Sequence, residues 1–220
     1  MSTLTEQILK CRKCITPELR DLIQYKPVHS FGNPKLKSIL VVGINPSTQE
    51  FKKKYLIAEG SNHERLNNQL TYFERPYYST FFGKIETFFD GEIKQKLGWV
   101  NSPWEKIAFL DLVKCSTKTY CGQWSSLKSP HKKAIIKNCE NYLLKQMNLY
   151  KPNIILGYGK PVCEWFSRKY NFSYKNPDSK IISTNYIKIV NLILVYQKQG
   201  AQPHTSNELT FVKNQLIKNI

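Results

Sequence analysis

At 220 residues with 41% hydrophobic positions, the chain is long enough for one sizeable core and too apolar for a disordered segment. No apolar run nears the roughly 20 residues of a membrane helix, and Met1-Ser-Thr-Leu-Thr-Glu-Gln lacks the basic start and apolar stretch of a signal peptide. A cytoplasmic, monomeric protein of one domain, 1–220, without membrane contact is expected. The 33 Lys and Arg outnumber the 16 Asp and Glu, for a net charge of +17, and such an excess favours a nucleic acid as partner.

Along the chain, Cys11-x-x-Cys14 comes first. This is half of a metal site or a redox pair. A strand over 38–43 runs into the turn Gly43-Ile-Asn-Pro-Ser47, which presents Asn45 at the strand's mouth. Residues 50–79 are rich in Lys, Asn, Tyr and Glu without periodicity, and are expected to form a binding loop or lid. Over 80–97 the spacing of Phe81, Ile85, Phe88 and Phe89 predicts a helix. A second strand, 107–113, leads to Cys115. Ser129-Pro130 then opens a helix whose apolar face is Ile136, Cys139, Leu143 and Met147.

Strands over 153–157 and 190–196 complete the pattern. Nearly continuous apolar runs suit strands buried on both faces, hence a parallel sheet covered by helices. Strands alternating with helices give a layered α/β fold. In such sheets ligands lie beyond the carboxyl ends of the strands, where Asn45 and Cys115 fall.

The six cysteines are Cys11, Cys14, Cys115, Cys121, Cys139 and Cys163. In a reducing compartment they are packing residues or metal ligands rather than disulfides. By count alone, four thiolates suit zinc or an iron–sulfur cluster equally.

Read in order, Cys11-x-x-Cys14, Gly43-Ile-Asn-Pro-Ser47, Val113-Lys-Cys115, Cys139 and Lys151-Pro-Asn-Ile-Ile-Leu-Gly-Tyr-Gly159 resemble the iron–sulfur (family 4 type) uracil-DNA glycosylases. The likeness spans residues 10–205. It implies a three-layer α/β sandwich with a four-stranded parallel sheet between helices. It also implies a structural 4Fe-4S cluster on Cys11, Cys14, Cys115 and Cys139. Between Cys115 and Cys139 lie 23 residues, more than the family usually shows. Cys121 is therefore the alternative third ligand, while Val-Lys-Cys favours Cys115.

Three departures from the family shape the expected chemistry. Iron–sulfur members carry an acid where this chain has Asn45, and Gly-Ile-Asn-Pro is similar to the mismatch-specific branch, whose Asn positions the attacking water. An amide does not ionise, so Asn45 would hold water only by hydrogen bonds. This suffices because glycosidic cleavage passes through an oxocarbenium-like state needing little nucleophilic push. Where the family reads uracil with Asn, this chain has Asp111. An ionised Asp accepts only and faces uracil O4 with repulsion, whereas it accepts from the exocyclic amine of cytosine. A protonated Asp would also donate to cytosine N3. The family's His-Pro-Ser loop is absent in that form. Gln197 stands near it, and His204-Thr-Ser206 is the nearest equivalent, with His204 assisting departure of the base.

The resemblance places the aromatic that stacks on a flipped base in the 77–82 segment. Tyr77, Tyr78 and Phe82 are the candidates, Phe81 suits a helix core, and Ile44 joins the base site beside Asn45. The expected protein is a monofunctional DNA glycosylase that leaves an abasic site. Excising plain cytosine would destroy the host genome, which points to a modified cytosine such as the hydroxymethylated or glucosylated base of phage DNA, in anti-phage defence. The alternatives are a uracil-DNA glycosylase of base-excision repair and a DNA-binding iron–sulfur protein without catalysis.

Overall fold

A computed structural model describes residues 3–24, 26–36, 38–47, 50–51, 57, 59–76, 78–118, 124–183, 190–196 and 203–220. The helices are α1 (Leu4–Leu9), α2 (Asn62–Leu70), α3 (Thr80–Glu86), α4 (Glu92–Leu97), α5 (Ser129–Tyr150), α6 (Lys160–Lys169) and α7 (Ser206–Asn219). The strands are β1 (Ile23–Gln24), β2 (Ile39–Gly43), β3 (Ile107–Asp111), β4 (Ser116–Thr117), β5 (Ile154–Tyr158), β6 (Asp178–Ile182) and β7 (Val190–Val195). The chain divides into two compact units. The first is built from Met1–Asn33, Ile44–Tyr78 and Leu110–Leu149, the second from Pro34–Gly43, Ser79–Phe109 and Tyr150–Ile220.

The larger sheet belongs to the second unit, except for the last two residues of β3. Its strand order is β3-β2-β5-β7-β6. The four apolar runs become β2, β3, β5 and β7, and the first three are buried at every residue. β2 pairs with β5 and β5 with β7 in parallel, Ile39 opposite Ile154 and Ile154 opposite Asn191. The fold is thus α/β with a mostly parallel sheet flanked by helices, and the sheet has five strands where four were expected. β6 is the addition, antiparallel to β7 with Ile182 opposite Val190. Its sequence Asp-Ser-Lys-Ile-Ile carries no apolar run because an edge strand faces water; Ile181 is 73% exposed.

Two glycines shape the end of β5. A Cβ on Gly157 would stand 2.7 Å from Leu194 Cδ2 and 3.3 Å from Phe166 Cδ2, so its absence lets α6 and β7 close on the strand. Gly159, with φ 103°, then turns the chain into α6.

The first unit corrects one expectation of irregularity. Within 50–79 lies α2, entered through a capping box of Ser61 and Glu64 and followed by a short 3-10 turn at Tyr72–Glu74. Its sequence is polar nearly all round, so periodicity did not mark it. Buried Gln69 anchors the helix, accepting from the His29 amide at 2.8 Å and donating to the Ile57 carbonyl at 3.1 Å. A small antiparallel pair, β1 with β4, sets Ile23 opposite Thr117. In the second unit the helix expected over 80–97 is two, α3 and α4, separated at Gly91 with φ 65°. Among the described residues no helix is long and apolar enough to cross a membrane.

Candidate functional site

In the first unit two chain turns are tied together. The Val113 amide donates to the Ile44 carbonyl at 2.8 Å, which holds the segment after β2 against the segment after β3. Both segments carry predicted site residues. Asn45 is half-buried, and its Nδ2 donates to the Pro46 carbonyl at 3.0 Å, orienting the amide. Ile44 is half-buried and packs on the core cluster of Cys14, Val113, Cys115 and Cys139. The hydrophobic part of the motif therefore rests on the cysteine core.

Asp111, the last residue of β3, is 2% exposed. Among the described residues neither of its carboxyl oxygens has a hydrogen-bond partner. Burial pushes its carboxyl well above the usual carboxylate range; the Lys114 ammonium opposes the shift and the Glu50 carboxylate adds to it. Lys114 folds back so that Nζ donates to the Asp111 carbonyl at 2.6 Å. Burial pulls the Lys114 ammonium down to about 8, against the pull of Asp111, Cys139 and Cys115. Sequence reasoning missed Glu50. It is 2% exposed, and the Ser47 amide donates to its Oε2 at 2.7 Å, as does the Ser47 hydroxyl. The signal available was an acid three residues past the motif's serine, which the irregular region around it obscured.

Of the aromatic candidates, Tyr78 is half-buried, edge-on to Phe73 at 5.2 Å and tilted to Tyr72 at 6.4 Å. Tyr77 lies outside the described residues. Phe82 belongs to the second unit and is fully buried, edge-on to Trp104 and Phe109. Its neighbour Phe81 is the half-buried ring of that pair.

His204 also belongs to the second unit. It is buried rather than exposed on its loop: Nε2 lies 3.0 Å from the Tyr158 hydroxyl, the ring 4.6 Å from that of Phe88, and Nδ1 3.9 Å from Glu208 Oε2. Glu208 in turn caps α7, accepting from the Thr205 amide and hydroxyl. Tyr158, at the carboxyl end of β5, is the partner the sequence did not nominate. Gln197, the other candidate for this role, lies outside the described residues.

The four predicted ligands all fall in the first unit, as thiols outside any disulfide. Cys14, Cys115 and Cys139 are 5%, 6% and 1% exposed within one apolar cluster, and Cys11 is half-buried. Cys14, Cys115 and Cys139 are each shifted by a neighbouring cysteine. A hydrogen bond from Cys139, helped by Asn138 and Lys13, draws the Cys14 thiol down to about 7. Burial, then Cys14 and Cys11, hold the Cys115 thiol far above its usual range. Cys139 is raised chiefly by its bond to Cys14. Tyr142 is raised by burial and by its bond to Cys11. Crowded thiols resist ionising together unless a cation compensates them, which is the donor chemistry a four-thiolate iron cluster requires. Among the described residues no group of three or more His, Cys, Asp or Glu side chains is disposed to hold a single metal ion. Cys121, the alternative ligand, lies outside the described residues. Cys163 is a packing residue of the second unit, its thiol 3.7 Å from the Gly157 and Val195 carbonyls.

Beside Cys11 lies a concavity of about 470 Å³ lined by Lys10, Arg12, Lys13, Lys145 and Glu6. Lys13 sits over the Tyr142 ring, 4.6 Å from its centroid. Glu6 is engaged in the α1 capping box, accepting from the Thr3 amide. Four cations thus line the concavity with one acid committed elsewhere.

The family model of the uracil DNA glycosylase superfamily matches residues 29–216. The match begins after Cys11, Cys14 and the α1-side residues of the concavity, and it includes Ile44, Asn45, Asp111, Cys115, Cys139 and His204. Among curated proteins no match is found.

Proposed function

The chain belongs to the uracil DNA glycosylase superfamily, and from that premise we propose that it is a monofunctional DNA glycosylase acting on a modified cytosine. The observation that carries this reading is Asp111, a fully buried acid whose oxygens lack partners among the described residues. An unsatisfied buried polar group costs stability, on the order of 1–3 kcal/mol, so a folded chain retains one where a ligand completes it. A neutral Asp111 would donate to cytosine N3 and accept from the N4 amine. Asn45 would hold the attacking water, a residue of the 77–82 aromatic segment would stack on the base, and His204 with Tyr158 would supply a hydrogen bond to the departing base. No lysine nucleophile is involved, so the product is an abasic site without strand cleavage.

Cys11, Cys14, Cys115 and Cys139 would hold a 4Fe-4S cluster. When bound it supplies rigidity rather than chemistry, through the core on which Ile44 rests. A modified base absent from the cell's own DNA makes a cytosine reader tolerable to its host, which supports a role in defence against phage.

Uracil is the second reading, and a neutral Asp111 admits it as well as cytosine. With its proton on the other oxygen, the same acid accepts from uracil N3–H and donates to O4. A panel of duplexes containing uracil, cytosine, hydroxymethylcytosine or its glucosylated form, cleaved by alkali after incubation, separates the readings. Strand scission confined to the modified cytosines supports the first. Scission at uracil installs the second, and binding without scission leaves a DNA-binding protein.

Asp111→Asn sharpens the same test. A carboxylic acid exchanges donor and acceptor by moving one proton, which an amide cannot do. Held as the family's asparagine is, Asn at 111 would read uracil alone. Excision of cytosine-derived bases should fall and that of uracil rise, changing the ratio by roughly 1–3 kcal/mol, about ten- to a hundredfold or more. An unchanged ratio removes Asp111 from base reading.

The charge of +17 predicts steep salt dependence. The double replacement Lys10→Glu and Lys145→Glu should weaken DNA binding and lower the salt slope by about one per lost phosphate contact. A slope equal to that of the wild type would place the DNA backbone elsewhere on the molecule.

A further inference from the structure

Between α1 and β1 the chain runs through turns, with neither helix nor strand over residues 10–22. Both cysteines of Cys11-x-x-Cys14 lie on that stretch, and one side chain of α5 reaches across to it. Asn138 is half-buried and adjoins Cys139. Its Nδ2 donates to the Lys13 carbonyl at 3.1 Å and to Cys14 Sγ at 3.5 Å. An amide nitrogen carries two hydrogens, and here two acceptors stand before them. The amide turned over would set Oδ1 against the Lys13 carbonyl, acceptor against acceptor. The carbonyl therefore fixes which end of the amide meets the sulfur.

The same helix holds Lys13 at its other end, since the ammonium lies 4.6 Å from the centroid of the Tyr142 ring. Tyr142 is four residues after Asn138 and so on the same side of α5. Lys13 is thus gripped by backbone and side chain, directly before Cys14, and all of these residues belong to the first unit. Cys139 also makes a hydrogen bond with Cys14. A cysteine ligates as thiolate, so that proton would leave when both residues hold a metal. The Asn138 amide does not ionise, and its hydrogens would stay.

We propose that Asn138 is a positioning residue for the iron–sulfur cluster: its amide pins the Cys11-x-x-Cys14 turn to α5 and gives the Cys14 sulfur a lasting hydrogen bond. This rests on the reading of Cys11, Cys14, Cys115 and Cys139 as the cluster's ligands. Helix α5 would then supply one ligand, Cys139, and beside it a donor aimed at a second. The bond to the carbonyl places Cys14. The bond to the sulfur draws charge from the thiolate, which favours the reduced state and raises the reduction potential. Asn138 would act only through Cys14 and Lys13.

The test uses the full chain purified without oxygen, as wild type, Asn138→Ala and Asn138→Asp. N138A removes both donors. N138D keeps the shape and sets a carboxylate against the sulfur and the carbonyl. Release of iron to excess chelator should be roughly ten- to a hundredfold faster from N138A, and faster again from N138D. In a dye-mediated redox titration the potential should fall, by about 59 mV for each tenfold loss of preference for the reduced state. Again N138D should show the larger change. A merely structural role, exerted through the Lys13 carbonyl, speeds iron release and leaves the potential in place; that result overturns the proposal.

If neither variant is soluble, pulsed EPR of the reduced wild type, with isotope-labelled side-chain nitrogen in its asparagines, reads the bond directly. A hyperfine coupling to an amide nitrogen supports the proposal, and the lack of one overturns it. A colourless, iron-free wild type defeats the ligand reading and the role of Asn138 with it. A brown wild type whose iron release and potential are unchanged in both variants defeats Asn138 alone.

Discussion

Asn45→Ala is expected to lower base excision at least about a hundredfold on every substrate the wild type accepts, while the protein keeps its fold and its affinity for DNA. The side chain is half-buried at the mouth of β2, and its amide is oriented by the bond to the Pro46 carbonyl. Alanine removes the polar group that would hold the attacking water. Misplacing a reactant by about 1 Å can cost on the order of a hundredfold. Little core is lost, because Ile44 and Pro46 still pack and the Val113 amide still holds the Ile44 carbonyl. Single-turnover excision on saturating duplex, with melting temperature as control, reads the effect. A variant that cleaves at the wild-type rate shows that water is held by other groups.

Cys139→Ala should remove iron and soluble protein together. The thiol is 1% exposed on α5, within an apolar cluster that includes Val113, Leu19, Ile23 and Ile135. Alanine there removes little volume, so packing alone predicts a small loss. A ligand is different. Metal-site free energies are on the order of 10 kcal/mol, comparable with the whole stability of an ordinary domain. The wild type should be brown when purified without oxygen, and the variant colourless. Cys163→Ala is the control, since that thiol packs against β-strand carbonyls in the other unit. Its iron content should match the wild type's. A colourless, iron-free wild type that still excises its base would remove the cluster from this protein.

Loss of the cluster should also reach the turn that carries Asn45. Ile44 packs on the cysteine core, and Val113, two residues before Cys115, holds the Ile44 carbonyl. Partial iron occupancy should therefore lower activity in proportion.

The main strands were legible in the sequence because a parallel strand is buried on both faces and must be apolar throughout. The runs at 38–43, 107–113, 153–157 and 190–196 became β2, β3, β5 and β7 within two residues at either end. Burial makes such a pattern local. β6 and α2 were not legible for the converse reason. An edge strand and a polar surface helix bury too little to impose a period, and their existence depends on the partner they lie against. The motif residues Asn45 and Asp111 and the four cysteines were named from their order along the chain. What they touch was not.

Only the tertiary structure put Tyr158 on His204 and Ile44 on the cysteine core. It also stripped Asp111 of hydrogen-bond partners among the described residues. A carboxyl at the end of a strand reads as a charge in sequence. Whether it carries that charge is decided by desolvation and by the neighbours that long-range packing brings to it, and neither quantity is encoded within a few residues of position 111.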